Sequence, residues 1–151
     1  MADHAREIEN LLYTYAERID LGDLAGVADL FEHGRIAPMP DATPEQCAEG
    51  REAVFALYDS TVKLHEDTGT PKTHHVTSNA IIDVADGARS ATARSYYTVF
   101  QQTDALPLQP IIAGRYHDTF QRIDGRWWFD TRTIHMHLFG DLRHHLSIDV
   151  G

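Results

Sequence analysis

Apolar residues recur at helical spacing near the start of the chain. Ile8, Leu11, Leu12, Tyr15, Ala16 and Ile19 fall on one stripe, which predicts an amphipathic first helix. The stretch "DLGD", Asp20 to Asp23, interrupts that stripe with a glycine. Asp23 can cap a second, shorter helix carrying Leu24, Val27, Ala28, Leu30 and Phe31, which His33-Gly34 ends. Arg35 to Asp41 reads as a short, extended, proline-bounded segment. A third helix is expected from about Arg51 to His65, with Val54, Leu57, Tyr58, Thr61, Val62 and Leu64 on or near its buried face. From Thr73 onward the texture changes to strands rich in Thr, Ile, Val, Tyr and Phe. Breaks are expected at Asp86-Gly87, at "LPLQP" (Leu106 to Pro110) and at Asp124-Gly125, the two Asp-Gly pairs being strong hairpin signals. Three helices followed by about four long antiparallel strands make an α+β fold. A strongly curved sheet would wrap the helices and enclose a pocket.

Length and charge narrow the field. The 151 residues are read as one domain, 1–151, large enough for a proper core. The formal net charge of −10, with basic residues scattered among more numerous acids, argues against nucleic acid or an anionic membrane as partner. No apolar run approaches the length of a membrane span, and no basic-then-apolar leader opens the sequence. Cys47 is the single cysteine, so no disulfide or Cys-based zinc site forms within one chain. A reducing, cytoplasmic setting is expected.

Ten histidines are the unusual feature of the composition. In "KTHHVTSN", Lys72 to Asn79, two of them stand side by side at the entrance to a strand. Alternation turns one of them inward. Asp20 ends the first helix beside the apolar stripe, where the helix dipole disfavours a carboxylate and a partner is expected. The competing readings are a turn carboxylate bonded to local N–H groups and a hydrogen-bonded core histidine. Asn79, four residues beyond His75, is placed on the same strand face, as a substrate ligand or as polar lining. Tyr96, Tyr116 and Asp118 are further candidates whose strand faces the pattern leaves open. His135 and His137 share one face, and His144-His145 follow. With no cysteine to join them and no HExxH motif, these read as polar or interface histidines rather than metal ligands. Trp127 and Trp128 alternate faces, one for the core and one to cover a helix or a subunit contact. Phosphate-loop, serine-hydrolase and redox-cofactor motifs are absent from the sequence.

The order of these segments resembles the nuclear transport factor 2-like superfamily, in particular its SnoaL-like and scytalone dehydratase-like branch. "LLYTYAERIDLGDLAGVADLF" (Leu11 to Phe31) is similar to the family's opening helix pair. "THHVTSNAIIDV" (Thr73 to Val84) is similar to its first long strand, and "GRYHDTFQRIDGRWWF" (Gly114 to Phe129) to its final hairpin. The resemblance implies a cone-like α+β barrel with an internal pocket. It also implies that Asp20 orients His75, which acts as general acid and base; Tyr15, with Asn79, Tyr96 and Tyr116 from the strand pattern, are the substrate-binding candidates. Tyr15 matches the helix-1 tyrosine that ketosteroid isomerases use to hold an oxyanion, yet the base of those enzymes would fall near Ala37 to Met39, where no carboxylate stands. Against scytalone dehydratase, the second pocket histidine falls near Gln101, and its later Ser and Asn near Gly114 and Tyr116. The implied activity is that of a cofactor-independent lyase or isomerase acting on a cyclic or aromatic hydroxyketone. The alternative is a non-catalytic binding or interaction module, such as the small subunit of a ring-hydroxylating dioxygenase. A homodimer or homotrimer is the implied assembly.

Overall fold

The computed structural model describes residues 2–148. Helix α1 (His4–Asp20) buries the stripe Ile8, Leu12, Tyr15, Ala16 and Ile19, and Asp3 caps it by accepting from the Arg6 N–H. Helix α2 (Leu24–Asp29) is capped in the same way by Asp23, which accepts from Gly26 N–H. Helix α3 spans Gly50–Thr61. It stops four residues short of the expected end at His65. Its continuation instead pairs with the C-terminal segment: Val62 bridges Leu146, and Lys63 N–H donates to the His145 carbonyl at 2.7 Å.

The strands are β1 (Arg35–Ala37), β2 (Ala48–Glu49), β3 (Thr73–Val84), β4 (Ser90–Thr103), β5 (Leu106–Ile123) and β6 (Arg126–Phe139). They form one six-stranded sheet in the order β2-β1-β6-β5-β4-β3. The four long strands are an antiparallel meander, and short β1 lies parallel to β6. The sheet is open rather than closed into a barrel, and its curved inner face packs on the helices as an α+β cone. Along β4, Ala91, Ala93, Ser95, Tyr97, Val99 and Gln101 point inward while their neighbours face outward. Phe31, Phe120 and Phe129 form the aromatic floor of the core, with Phe31 stacked on Phe129 at 4.8 Å.

"LPLQP" is not a break but the first part of β5; the turn falls at Asp104-Ala105. The prolines are tolerated because β6 reaches only to Ile112, so this end of β5 is an edge. A second departure affects the site directly. Between Ser78 and Ile81 an extra residue is inserted opposite β4, with Asn79 in the left-handed region at φ 56°. Before this bulge Thr73, His75 and Thr77 face inward; after it Ala80, Ile82 and Val84 do.

Candidate active site

The last turn of α1 lies against the start of β3, and there Asp20 meets His75. Asp20 Oδ1 lies 2.6 Å from His75 Nδ1 and accepts from the Thr73 hydroxyl at 2.8 Å. Its Oδ2 accepts from the His75 backbone N–H at 2.8 Å. These donors stabilise the carboxylate at a helix end where the dipole opposes it. Burial pushes the Asp20 carboxyl upward, but the bonds and charge from His75, with the Thr73 bond, outweigh it and hold the group below the usual carboxylate range. An ionised Asp20 can only accept, so Nδ1 of His75 carries hydrogen and Nε2 of the neutral ring is the free basic nitrogen.

His75 lines a cavity of about 150 Å³ whose walls are otherwise mostly apolar, including Ile19, Leu57, Val62, Val99, Ile112 and Met136. A cavity of this order holds a benzene-sized guest. Tyr15, Tyr58, Tyr97 and Tyr116 also line it. The hydroxyls of Tyr15 and Tyr58 are hydrogen-bonded to each other. Tyr97 stacks on Tyr116 at 4.4 Å, a closeness that Gly114 permits, since a Cβ there would stand 2.8 Å from the Tyr97 hydroxyl. Burial raises the pKa of all four phenols, so they are neutral hydrogen-bond donors and not bases.

Behind the tyrosines lies an ion pair wholly out of water. Arg132 Nε and Nη2 reach the two oxygens of Asp118 at 2.8 and 3.0 Å. The guanidinium sits over the rings of Tyr116 and Tyr15, 3.7 and 4.2 Å from their centroids. Burial pushes the Asp118 carboxyl upward against the pull of Arg132, yet the forked pair is ionised because a guanidinium does not give up its proton. Asp118 is therefore a support for the aromatic wall rather than a group facing the cavity.

The structure brings Asp20, His75, Tyr15 and Tyr116 together and leaves two candidates outside. Asn79 is exposed because the bulge reverses the strand's alternation just before it. Tyr96 is on the outer face of β4 with Arg115 over its ring, and its neighbour Tyr97 points inward instead. Tyr58, Tyr97 and His145 line the cavity and lay outside the candidate set drawn from the sequence. Tyr58 was legible as part of the α3 stripe, but only as packing. His145, in an irregular segment after β6, is buried and lines the cavity. Gln101 makes that placement intelligible: its Nε2 donates to the carbonyls of Pro71 and His144, both at 2.9 Å, which fastens the segment bearing His145.

The other histidines lie elsewhere. His135 is 4.2 Å from His117 and 6.2 Å from His137 between ring centroids, and among the described residues no group of three or more His, Cys, Asp or Glu is arranged to hold a metal. Trp127 is buried and donates to His4 Nδ1 at 3.1 Å, whereas Trp128 is covered by Arg126 and His33. No described helix is long and apolar enough to cross a membrane.

Residues 1–133 match the SnoaL-like domain family. The chain belongs to that family. Among solved structures, an NTF2-like protein with a cystatin-like fold from Novosphingobium aromaticivorans is 25% identical, with a TM-score of 0.71 over 89% of this chain and 82% of that one. A protein proposed to be a scytalone dehydratase, from the same organism, is 27% identical, with a TM-score of 0.69 over 91% of this chain and 86% of that one. A protein of unknown function from Mycobacterium tuberculosis, 24% identical, shares the fold with a TM-score of 0.70 over 88% of this chain and 71% of that one. No curated protein matches the sequence significantly. SnoaL-like membership and these neighbours mark the chain as an NTF2-like fold of the kind that binds or processes small molecules.

Proposed function

We propose that this SnoaL-like protein is a cofactor-independent dehydratase or isomerase acting on a small cyclic hydroxyketone by proton transfer. The observation that carries the reading is the Asp20–His75 pair, whose ring lines an apolar cavity. With Nδ1 committed to Asp20, neutral His75 takes a proton from the carbon next to the ketone through Nε2. The developing enolate oxygen is held by the Tyr15 hydroxyl, itself bonded to Tyr58. Tyr15 and His75 line the same cavity, the one from α1 and the other from β3. In dehydration, imidazolium His75 returns the proton to the hydroxyl on the next carbon. The C–O bond breaks, the C=C bond forms, water leaves, and His75 is neutral again. In isomerisation the proton returns to carbon instead.

The test uses 3-hydroxycyclohexanone, a simple β-hydroxyketone, with formation of cyclohexenone followed by its ultraviolet absorbance. His75→Ala is expected to lower turnover by about 10²–10⁴-fold while binding measured by calorimetry persists. Equal turnover in wild type and His75→Ala would sink the reading. Tight binding with no turnover by the wild type would favour a binding module.

A further inference from the structure

Stability alone does not explain the Arg132–Asp118 pair. Both side chains are wholly buried, and well-packed apolar residues of similar volume often leave a protein as stable as such a pair does, or more so. Its location is specific. Asp118 lies two residues beyond Tyr116 on the inward face of β5, and Arg132 is its cross-strand partner on β6. The carboxylate takes Nε and Nη2 of the guanidinium, while Nη1 has no hydrogen-bond partner among the described residues. The cation packs instead on aromatic faces, those of Tyr116 and Tyr15 and, at 5.0 Å, that of Phe129. Tyr15 and Tyr116 line the cavity, so one layer of rings separates it from a buried positive charge. The positive end of the pair is the one turned towards these rings. Burial raises the pKa of both phenols, and against it Arg132 lowers each by more than Asp118 raises it.

We infer that Arg132 is a positioning residue for an anionic oxygen: acting through the rings of Tyr15 and Tyr116, its charge favours a negative ligand oxygen held at the Tyr15 hydroxyl. A cation against the face of a phenol draws electron density from the ring and makes its O–H a stronger donor to an anion. With no water in between, the field of the guanidinium is weakly screened. Arg132 itself touches no ligand and gives up no proton. Asp118 fixes the guanidinium in place and limits how much of its charge the cavity feels. The parts are then distinct: His75 receives the proton, Tyr15 holds the oxygen, and Arg132 stabilises the charge left on it. The ligand class narrows to one-ring ketones and phenols whose oxygen becomes an enolate or a phenolate once the proton has moved.

The role assigned to Arg132 deepens the dehydratase reading and rests on it, while the test separates the two. The probe is 3,4,5-trifluorophenol, a benzene-sized phenol whose fluorine NMR shift distinguishes phenol from phenolate. 1,2,3-Trifluorobenzene, which has no hydroxyl, reports whether the cavity is intact. In the wild type the bound phenol passes its proton to His75 and is expected to be more ionised than the free probe at the same pH. Arg132→Met combined with Asp118→Leu should lower the ratio of ionised to neutral bound probe by about tenfold, equivalent to about one pKa unit. Affinity for trifluorobenzene should be unchanged, and Arg132→Lys should keep most of the wild-type ratio. Asp118→Asn removes the counter-charge at constant size and should raise the ratio, a change of sign that a merely structural role does not produce. With 3-hydroxycyclohexanone the double variant should lose kcat by a similar factor and keep KM. An unchanged ratio in the double variant overturns the inference, as does a wild type that binds no probe or binds it no more ionised than in solution. If the double variant does not fold or no longer binds trifluorobenzene, Asp118→Asn decides, and a ratio unchanged or lowered there overturns the inference. An Arg132-dependent ratio in a protein without turnover would keep the role of Arg132 and remove the dehydratase reading alone.

Discussion

Acid should weaken this fold through His145, and the size of the effect follows from its surroundings. The ring is buried among His75, Asp20 and His65; burial and the two histidines disfavour a charge on it, and Asp20 only partly favours one. Its ordinary value of 6.5 applies to the unfolded chain, against about 3 in the folded protein. Below pH 6.5 the unfolded chain takes up a proton that the folded one refuses, so stability falls as pH drops from 6.5 towards 3. Each pH unit in that window is worth about 1.4 kcal/mol, so going from neutrality to pH 4.5 removes about 2–3 kcal/mol. For a domain stable by about 5–15 kcal/mol this is a large share. Urea unfolding at pH 7.0 and 4.5, of wild type and His145→Gln, isolates the contribution because most other titrating groups are common to both. Wild type should lose about 2–3 kcal/mol more than the variant between the two conditions. A difference below about 0.5 kcal/mol would mean that the folded protein protonates His145 freely, and the argument from its burial would fail.

Two more outcomes are expected. Asp118→Ala strands the guanidinium of Arg132 in the core and should cost about 3–5 kcal/mol in chemical denaturation, whereas Asp118→Leu combined with Arg132→Met should recover most of that loss; equal losses in the two would contradict a pair buried on both sides. Asn79→Gly should change neither turnover nor stability appreciably, while Asn79→Val should cost about 1–2 kcal/mol at the positive φ and leave kcat alone, as thermal unfolding and the enone assay would read.

The parts of the fold that were legible in the sequence are those that local pattern dictates. The α1 stripe, the Asp23 cap and the two Asp-Gly turns needed no tertiary information. The Asp20–His75 contact was legible for a mixed reason: a carboxylate at the wrong end of a helix wants a partner, and the resemblance supplied which one. Asn79 fell outside because strand alternation carries a parity that one inserted residue in β3 reverses, and nothing in "HHVTSNA" marks where the insertion falls. Tyr97 and Tyr96 are interchangeable on pattern alone until the register with β5 is known. His145 was illegible for a different reason. Its segment has no periodicity, and its place depends on Gln101 and the end of α3, both remote in the chain. The expected overrun of α3 and the unforeseen placement of His145 have one cause, since the same pairing with Val62 and Lys63 stops the helix and delivers the histidine.

The Asp20 carboxylate binds both the backbone and the ring of His75, which lies 55 residues further along the chain. Hairpins such as β4–β5 and β5–β6 close short loops and can form early, but this contact must wait for a long one, with the larger entropy cost that entails. By loop length the Asp20–His75 contact follows the hairpins and precedes the still longer closures that join Arg35 to Thr131 and His4 to Trp127. A ligand that recognises the oriented His75 ring would engage only molecules that have completed that step, so its binding rate after dilution from denaturant would time the closing of the cone onto α1.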